Sequence, residues 1–230
     1  MISEPIPTAQ PAIQVGSRFD PYEDNGGTTM ALAGEDFCIV AADTRQSDGY
    51  HINCRYAPKA HQLSEKTVIG TSGFYADGIN LVKKIKQRME WYYHQHEKVM
   101  STPAIAQLLS IMLYQKRFFP YYVFSVLGGI DEEGKGCVFS YDSVGNMERV
   151  KYQAAGSGNE LLQPFLDSQI GLMNRATEDT LNLTEDMAIK IVKDAFSSVT
   201  ERDIHTGDCV EIYIIRKDGV ECQKYPLKRD

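Results

Sequence analysis

The chain has 230 residues, 43% of them hydrophobic and 24% charged, the profile of a globular protein and not of a low-complexity one. A formal net charge of −7, from 24 Lys and Arg against 31 Asp and Glu, argues against a nucleic-acid binder, which concentrates positive charge on one face. No apolar run approaches the ~18 residues of a membrane-spanning helix, and residues 1–16 lack the basic start and apolar centre of a secretory signal.

At this length a single large domain buries roughly 70–75% of the surface its unfolded chain exposes. The five cysteines, Cys38, Cys54, Cys137, Cys209 and Cys222, are odd in number and show no Cys-x-x-Cys spacing. They read as free thiols in a reducing compartment, not as a disulfide frame or a zinc site.

Residues 1–25 carry Pro5, Pro7, Pro11 and Pro21 among scattered polar residues. They read as a flexible leader with a more ordered end at Phe19-Asp20-Pro21-Tyr22, and the folded domain is expected over 26–230. The turn Asn25-Gly26-Gly27 feeds an alternating strand at 28–33, and Gly34-Glu35-Asp36 turns it into a second strand at 37–43. Further strands are expected at 50–55 and 67–72. A helix starts near Tyr75, with Ile79, Val82, Ile85 and Met89 on one face. The next helix has Thr102 as its cap, Pro103 in its first turn and an apolar stripe of Ile105, Leu108, Leu109, Met112 and Leu113; it breaks before Pro120. Residues 121–129 and 137–141 form an antiparallel pair through Asp131-Glu132-Glu133-Gly134. After Gly156-Ser157-Gly158 comes a short helix with Leu161, Leu162, Phe165 and Leu166. A longer one starts at about Thr184 and carries Ala188, Ile191, Val192, Ala195, Phe196 and Val199. Strands at 209–216 and 220–226 close the chain around Asp218-Gly219.

Strands and helices in separate blocks argue for an α+β layered fold and against a βαβ parallel sheet. Each helix carries one apolar stripe and must cover a sheet face, which suits two antiparallel sheets stacked between helix layers. Periodicity alone leaves other α+β arrangements open.

The segment Gly26-Gly27-Thr28-Thr29, the turn after it, and the apolar strand ending Ala41-Ala42-Asp43-Thr44-Arg45 resemble the opening of a proteasome β subunit. The resemblance runs from Phe19 to the end of the chain. It implies the four-layer αββα sandwich of the N-terminal-nucleophile hydrolases. In active members a Thr is freed at the chain's N-terminus by self-cleavage after a Gly; its hydroxyl attacks the peptide carbonyl and its own amine is the base. That Thr stands sixteen residues before the Asp, and sixteen before Asp43 is Gly27, which has no hydroxyl. The supporting positions match. Lys59, sixteen residues after Asp43, falls where active subunits carry the lysine beside the threonine, and Gly73 falls on the glycine whose N–H stabilises the oxyanion. Ser157 matches the serine of a Gly-Ser-Gly loop beside the nucleophile. Asp203 and Thr206 match an Arg-Asp-x-x-Ser-Gly segment that orients it, with Thr206 replacing Ser. The implied protein is a non-catalytic β subunit of the 20S core particle, with a complete supporting shell and no nucleophile. Its implied partners are two neighbours in its own ring, the opposite β ring and the α ring, with assembly chaperones and the regulatory particle as indirect ones. Cytoplasm and nucleus are the implied locations; no cofactor, metal, nucleic acid or membrane is expected.

Each supporting residue also has a plainer role. Asp43 and Lys59 suit a structural ion pair, Gly73 a turn that needs positive φ, and Ser157 a cap for the helix at Asn159. Cleavage before Thr28 would also expose a threonine after a glycine, but Asp43 lies only fifteen residues from it. On a strand a slip of one residue turns the side chain to the opposite face, so Thr28 is expected to point away from Lys59. His94 and His96 diverge at helical spacing and read as a solvated face, and Gly134-x-Gly136 lacks the third glycine of a dinucleotide loop. The aromatic run Arg117-Phe118-Phe119-Pro120-Tyr121-Tyr122-Val123 reads as core packing at a corner or as a subunit contact. Together with Gly128 to Gly136 it resembles one of the non-catalytic members of the β ring.

Overall fold

A computed structural model of the protein describes residues 20–175 and 181–230. The chain opens with strands β1 (Thr28–Ala33), β2 (Cys38–Asp43), β3 (Gln46–Asp48), β4 (His51–Cys54), β5 (Ala60–Ser64) and β6 (Thr67–Gly73). Helices α1 (Tyr75–His96) and α2 (Thr102–Tyr114) follow, then β7 (Val123–Ile130), β8 (Gly136–Tyr141), β9 (Met147–Val150) and β10 (Tyr152–Gly156). Helices α3 (Asn159–Gln169) and α4 (Glu185–Thr200) precede the closing hairpin of β11 (Cys209–Arg216) and β12 (Gly219–Pro226).

Two five-stranded antiparallel sheets result, in the orders β10-β1-β2-β11-β12 and β5-β6-β7-β8-β9, with β3 and β4 as a separate hairpin. Alternation along each strand assigns side chains to layers. Met30, Leu32, Ile39 and Ala41 face Leu162, Leu166, Ala188, Val192 and Phe196 of α3 and α4. Ile69, Leu127 and Phe139 face Leu81, Val82, Ile85, Ile105 and Leu109 of α1 and α2. Between the sheets lie Ala31, Cys38, Val40, Ala42, Val68, Val126 and Val138. Small residues dominate that middle layer because the sheets come close: a Cβ added to Gly128 would sit 2.4 Å from Val40 Cγ2 and 2.7 Å from Cys38 Sγ. The architecture is therefore the α+β sandwich with two antiparallel sheets between helix layers.

Several local expectations change. Strands β3, β5, β9 and β10 were not legible. β5 reads Ala-His-Gln-Leu-Ser and β9 Met-Glu-Arg-Val, and both are sheet edges whose polar content hides the period. Thr102 is the first residue of α2 and not its cap, which is Ser101; its hydroxyl donates to Ile130 O at 2.8 Å. Ser157 does not cap α3, where Gly158 holds the cap position without a side-chain bond. On α1 the buried stripe is Gly78, Leu81, Val82 and Ile85, with Ile79 and Met89 half-buried at its edges. The aromatic run splits, with Tyr121 and Val123 buried and Phe118 fully exposed. Phe19, within the expected ordered end of the leader, lies outside the described residues, as does most of that leader; Tyr22 does dock, donating from its hydroxyl to Pro120 O at 2.6 Å.

Candidate functional site

Two consecutive glycines with positive φ, Gly26 at +66° and Gly27 at +87°, bring the chain into β1. That conformation is the left-handed region that glycine tolerates and a β-branched residue does not. Position 27 faces Lys59: a Cβ built on Gly27 would lie 2.1 Å from Lys59 Cε and 2.8 Å from its Nζ. The aliphatic end of the lysine thus occupies the space that a side chain at 27 would use.

Lys59 is 2% exposed and Asp43, at the end of β2, is 0% exposed. The Lys59 ammonium donates to Asp43 Oδ1 at 2.9 Å and to Asp43 O at 3.1 Å. Asp43 also accepts from the amides of Thr28 at 2.9 Å, Gly207 at 3.2 Å and Arg45 at 3.3 Å. Burial pushes the Asp43 carboxyl above the usual carboxylate range; the Lys59 charge and the amides of Thr28 and Gly207 pull against it. Gly73, with φ +99°, donates its N–H to Gly26 O at 3.4 Å and returns its own carbonyl to the Asn25 amide at 3.1 Å. The plain role of Gly73 as a positive-φ turn and its amide contact are therefore one arrangement. The carbonyl just before position 27 rests under the amide that the resemblance assigns to an oxyanion.

A second arm approaches from the other side. Ser157 N donates to Gly27 O at 3.0 Å, and Ser157 Oγ donates to Asp203 Oδ2 at 2.7 Å. Thr206 Oγ1 donates to the same Asp203 oxygen at 2.6 Å and lies 2.6 Å from Thr28 Oγ1. A hydroxyl has one hydrogen, so with Thr206 committed to Asp203 it is Thr28 that donates to Thr206. Gly158 N completes Thr28 by donating to its Oγ1 at 3.0 Å. Thr28 is thus fully buried and bonded into the Thr206–Asp203 arm, on the face of β1 away from Lys59, as the parity of the strand requires.

All the residues singled out in the sequence, Gly27, Asp43, Lys59, Gly73, Ser157, Asp203 and Thr206, therefore meet at the head of β1. Sequence reasoning missed two contributors. One is Thr28 as the link in the hydroxyl chain. The other is the buried pair of Arg45 and Asp208, joined at 2.8 Å and linked to Arg55 at 2.6 Å, with Asp208 the last residue of the loop between α4 and β11. The signal for the second was present in the Arg of Ala-Ala-Asp-Thr-Arg and the Asp after Thr206-Gly207. The histidines of α1 do not enter the site: His94 pairs with Glu90 at 3.0 Å on the exposed surface.

The family model described as "Proteasome subunit" matches residues 23–215. "Proteasome subunit beta type-1" of Danio rerio is 48% identical over 216 residues, covering 94% of this chain and 91% of that protein. The protein of the same name from Arabidopsis thaliana is 51% identical over 218 residues, covering 93% and 98%. "Probable proteasome subunit beta type-6" of Schizosaccharomyces pombe is 47% identical over 224 residues, covering 93% and 99%. With a family model spanning most of its length and relatives this similar over nearly their whole extent, the chain belongs to the proteasome subunit family.

Proposed function

We propose that this protein is a non-catalytic β subunit of the 20S proteasome core particle, of the kind its relatives' names call beta type-1. It contributes to the wall of the proteolytic chamber and to the cohesion of the ring during ubiquitin-dependent and ubiquitin-independent protein degradation. Its direct partners are two neighbours in its own ring, the opposite β ring and the α ring; assembly chaperones and the regulatory particle engage it indirectly. It works in cytoplasm and nucleus.

The observation that carries the non-catalytic reading is Gly27. A threonine-type peptidase needs a hydroxyl whose oxygen forms the acyl bond and an adjacent group to take its proton. The point facing Lys59 and following the Gly26 carbonyl has no such oxygen. Thr28, the neighbouring hydroxyl, is held on the opposite face by Thr206 and Gly158. Peptide-bond hydrolysis then belongs to threonines on other subunits, while Asp43, Lys59, Gly73, Ser157, Asp203 and Thr206 persist as a structural shell.

The test is to treat native particles with an electrophile directed at N-terminal threonines and digest each subunit for mass analysis. Adducts are expected on other β subunits and none on this one; an adduct on Thr28 would overturn the non-catalytic reading. Sedimentation addresses assembly. The 25.9 kDa chain should travel with the large particle, and a chain found only free would overturn membership of the ring.

A further inference from the structure

The loop that carries Asp203 and Thr206 runs between α4 and β11 without helix or strand of its own. It nevertheless holds two side chains at bonding distance from Ser157 and Thr28. What seats it is Arg45, only 2% exposed beneath the loop. Arg45 Nε donates to Asp208 Oδ2 at 2.8 Å, and Nη1 donates to Ile204 O at 3.0 Å. A Cβ added to Gly207 would lie 2.6 Å from Arg45 Cζ, so the guanidinium packs directly against the loop backbone. Asp208 itself stands at φ +70° and is gripped from its other oxygen by Arg55 Nη1 at 2.6 Å.

The remaining guanidinium nitrogen is taken by the segment after β12. Arg45 Nη2 donates to Lys228 O at 3.4 Å and to Asp230 O and Oδ1, each at 3.5 Å. Two backbone bonds stitch the same segment to the loop: Asp208 N to Lys228 O at 3.0 Å and Leu227 N to Asp208 O at 3.1 Å. Lys228 Nζ adds a bond to Glu201 Oε2 at 3.2 Å, at the end of α4. Loop, arginine and tail form one closed unit, and residues 228–230 are its exposed part.

We propose that Arg45 is a positioning residue for the Asp203–Thr206 arm and that residues 227–230 are a strap over it, so that lifting the strap loosens the arm. The inference rests on the reading of the Gly27 centre as a shell that lacks only its nucleophile. Arginine suits the task because its planar fork makes several bonds from one rigid group, whereas lysine offers a single point charge.

Two changes test this in assembled particles: a chain ending at Leu227, and Arg45→Lys compared with Arg45→Ala. Amide hydrogen exchange of residues 202–209 should accelerate about tenfold in the shortened chain, the factor that one bond to a charged group supplies. Exchange in α2 should not change. Arg45→Lys should recover the melting temperature lost in Arg45→Ala without recovering protection of the loop. In a Gly27→Thr background, the self-cleavage that the shell would then support should slow about tenfold when residues 228–230 are removed. Unchanged exchange at 202–209 in the shortened chain, or an equal rise in α2, would overturn the strap. Faster loop exchange with an unchanged cleavage rate would overturn the positioning role. If Gly27→Thr alone is never cleaved, the reading of the shell fails, and loop exchange still decides the strap.

Discussion

A threonine at position 27 would enter a space that Lys59 already fills and a backbone that favours glycine. Gly27→Thr should therefore cost about 1–3 kcal/mol in the uncleaved chain. It should nonetheless place a hydroxyl against Lys59, next to a Gly26 carbonyl that the Gly73 amide already touches. That hydroxyl would attack the carbonyl, the peptide nitrogen would leave as the new amine, and water would release residues 1–26 from the ester. Intact mass of the variant subunit checks this, and adding Lys59→Ala should abolish the loss. In the natural chain the ion pair matters to stability. Lys59→Met strands a buried carboxylate and should cost about 3–5 kcal/mol in thermal melts. Neutralising the partner as well, with Asp43→Asn, should recover part of that cost. An apolar partner should not, because Asp43 also accepts from the Thr28 and Gly207 amides, and those donors would lose their acceptor. Asp208 gives a pH signature. Burial alone would raise its carboxyl, but bonds from Arg45 and Arg55 outweigh that and hold it below the usual carboxylate range. A depressed value in the folded state contributes stability that is complete above the ordinary carboxylate value of ~3.9 and is lost as pH falls through the lower folded value. Melting temperatures of Asp208→Asn should thus run closer to the natural protein's at acid pH than at neutrality.

The elements were legible where period and composition agreed. β1, β2, β6, β11 and the four helices were legible because the strands, largely buried, are rich in apolar residues between turn signals and each helix shows one stripe. The edge strands β5, β9 and β10 were not, since an edge is allowed polar residues and its pairing is set by neighbours far away in sequence, such as Thr29 opposite Ala155. The site was legible for a different reason. Its residues were found through the resemblance, which places the nucleophile sixteen residues before the Asp and a lysine sixteen after it, and those offsets from Asp43 give Gly27 and Lys59. Arg45 and Asp208 escaped although each stands beside a marked motif, because their pairing joins residues 163 apart in the sequence. The contact between sheets is another feature of tertiary structure alone. Gly128→Val would push a branched side chain into Val40 and Cys38, forcing two sheets apart or one strand out of register. Overpacking of that kind costs about 1–3 kcal/mol or more, and Val40→Ala should partly rescue it in a double-variant cycle read by thermal melts.

On the proposed non-catalytic reading, self-cleavage lacks its hydroxyl at position 27, and shortening of the natural protein falls to another protease acting on an accessible stretch. From Tyr22 onward the chain is committed to the fold. The Tyr22 hydroxyl bonds Pro120 O, and its ring lies 5.6 Å from Phe119 and 5.8 Å from Tyr122. Asp24 Oδ1 accepts from the Gly26 amide at 2.9 Å. Asn25 is 3% exposed and bonds three separate elements: Gly73 O through its backbone, Ser47 O through its side-chain amide, and the Tyr75 amide through its side-chain carbonyl. A protease would have to unpick these contacts to reach the Gly26–Gly27 bond, whereas the composition of the Pro-rich sequence before Phe19 marks it as the easier target. The expected product is a chain cut upstream of Phe19, with Gly26 and Gly27 inside it. Intact mass of the subunit from native particles measures this directly. Substituting Tyr22→Ala and Asn25→Ala together should move the cut downstream by releasing the segment. A natural chain beginning at Thr28 would mean that Thr28 itself had served as the nucleophile, and the account of Gly27 would have to be abandoned.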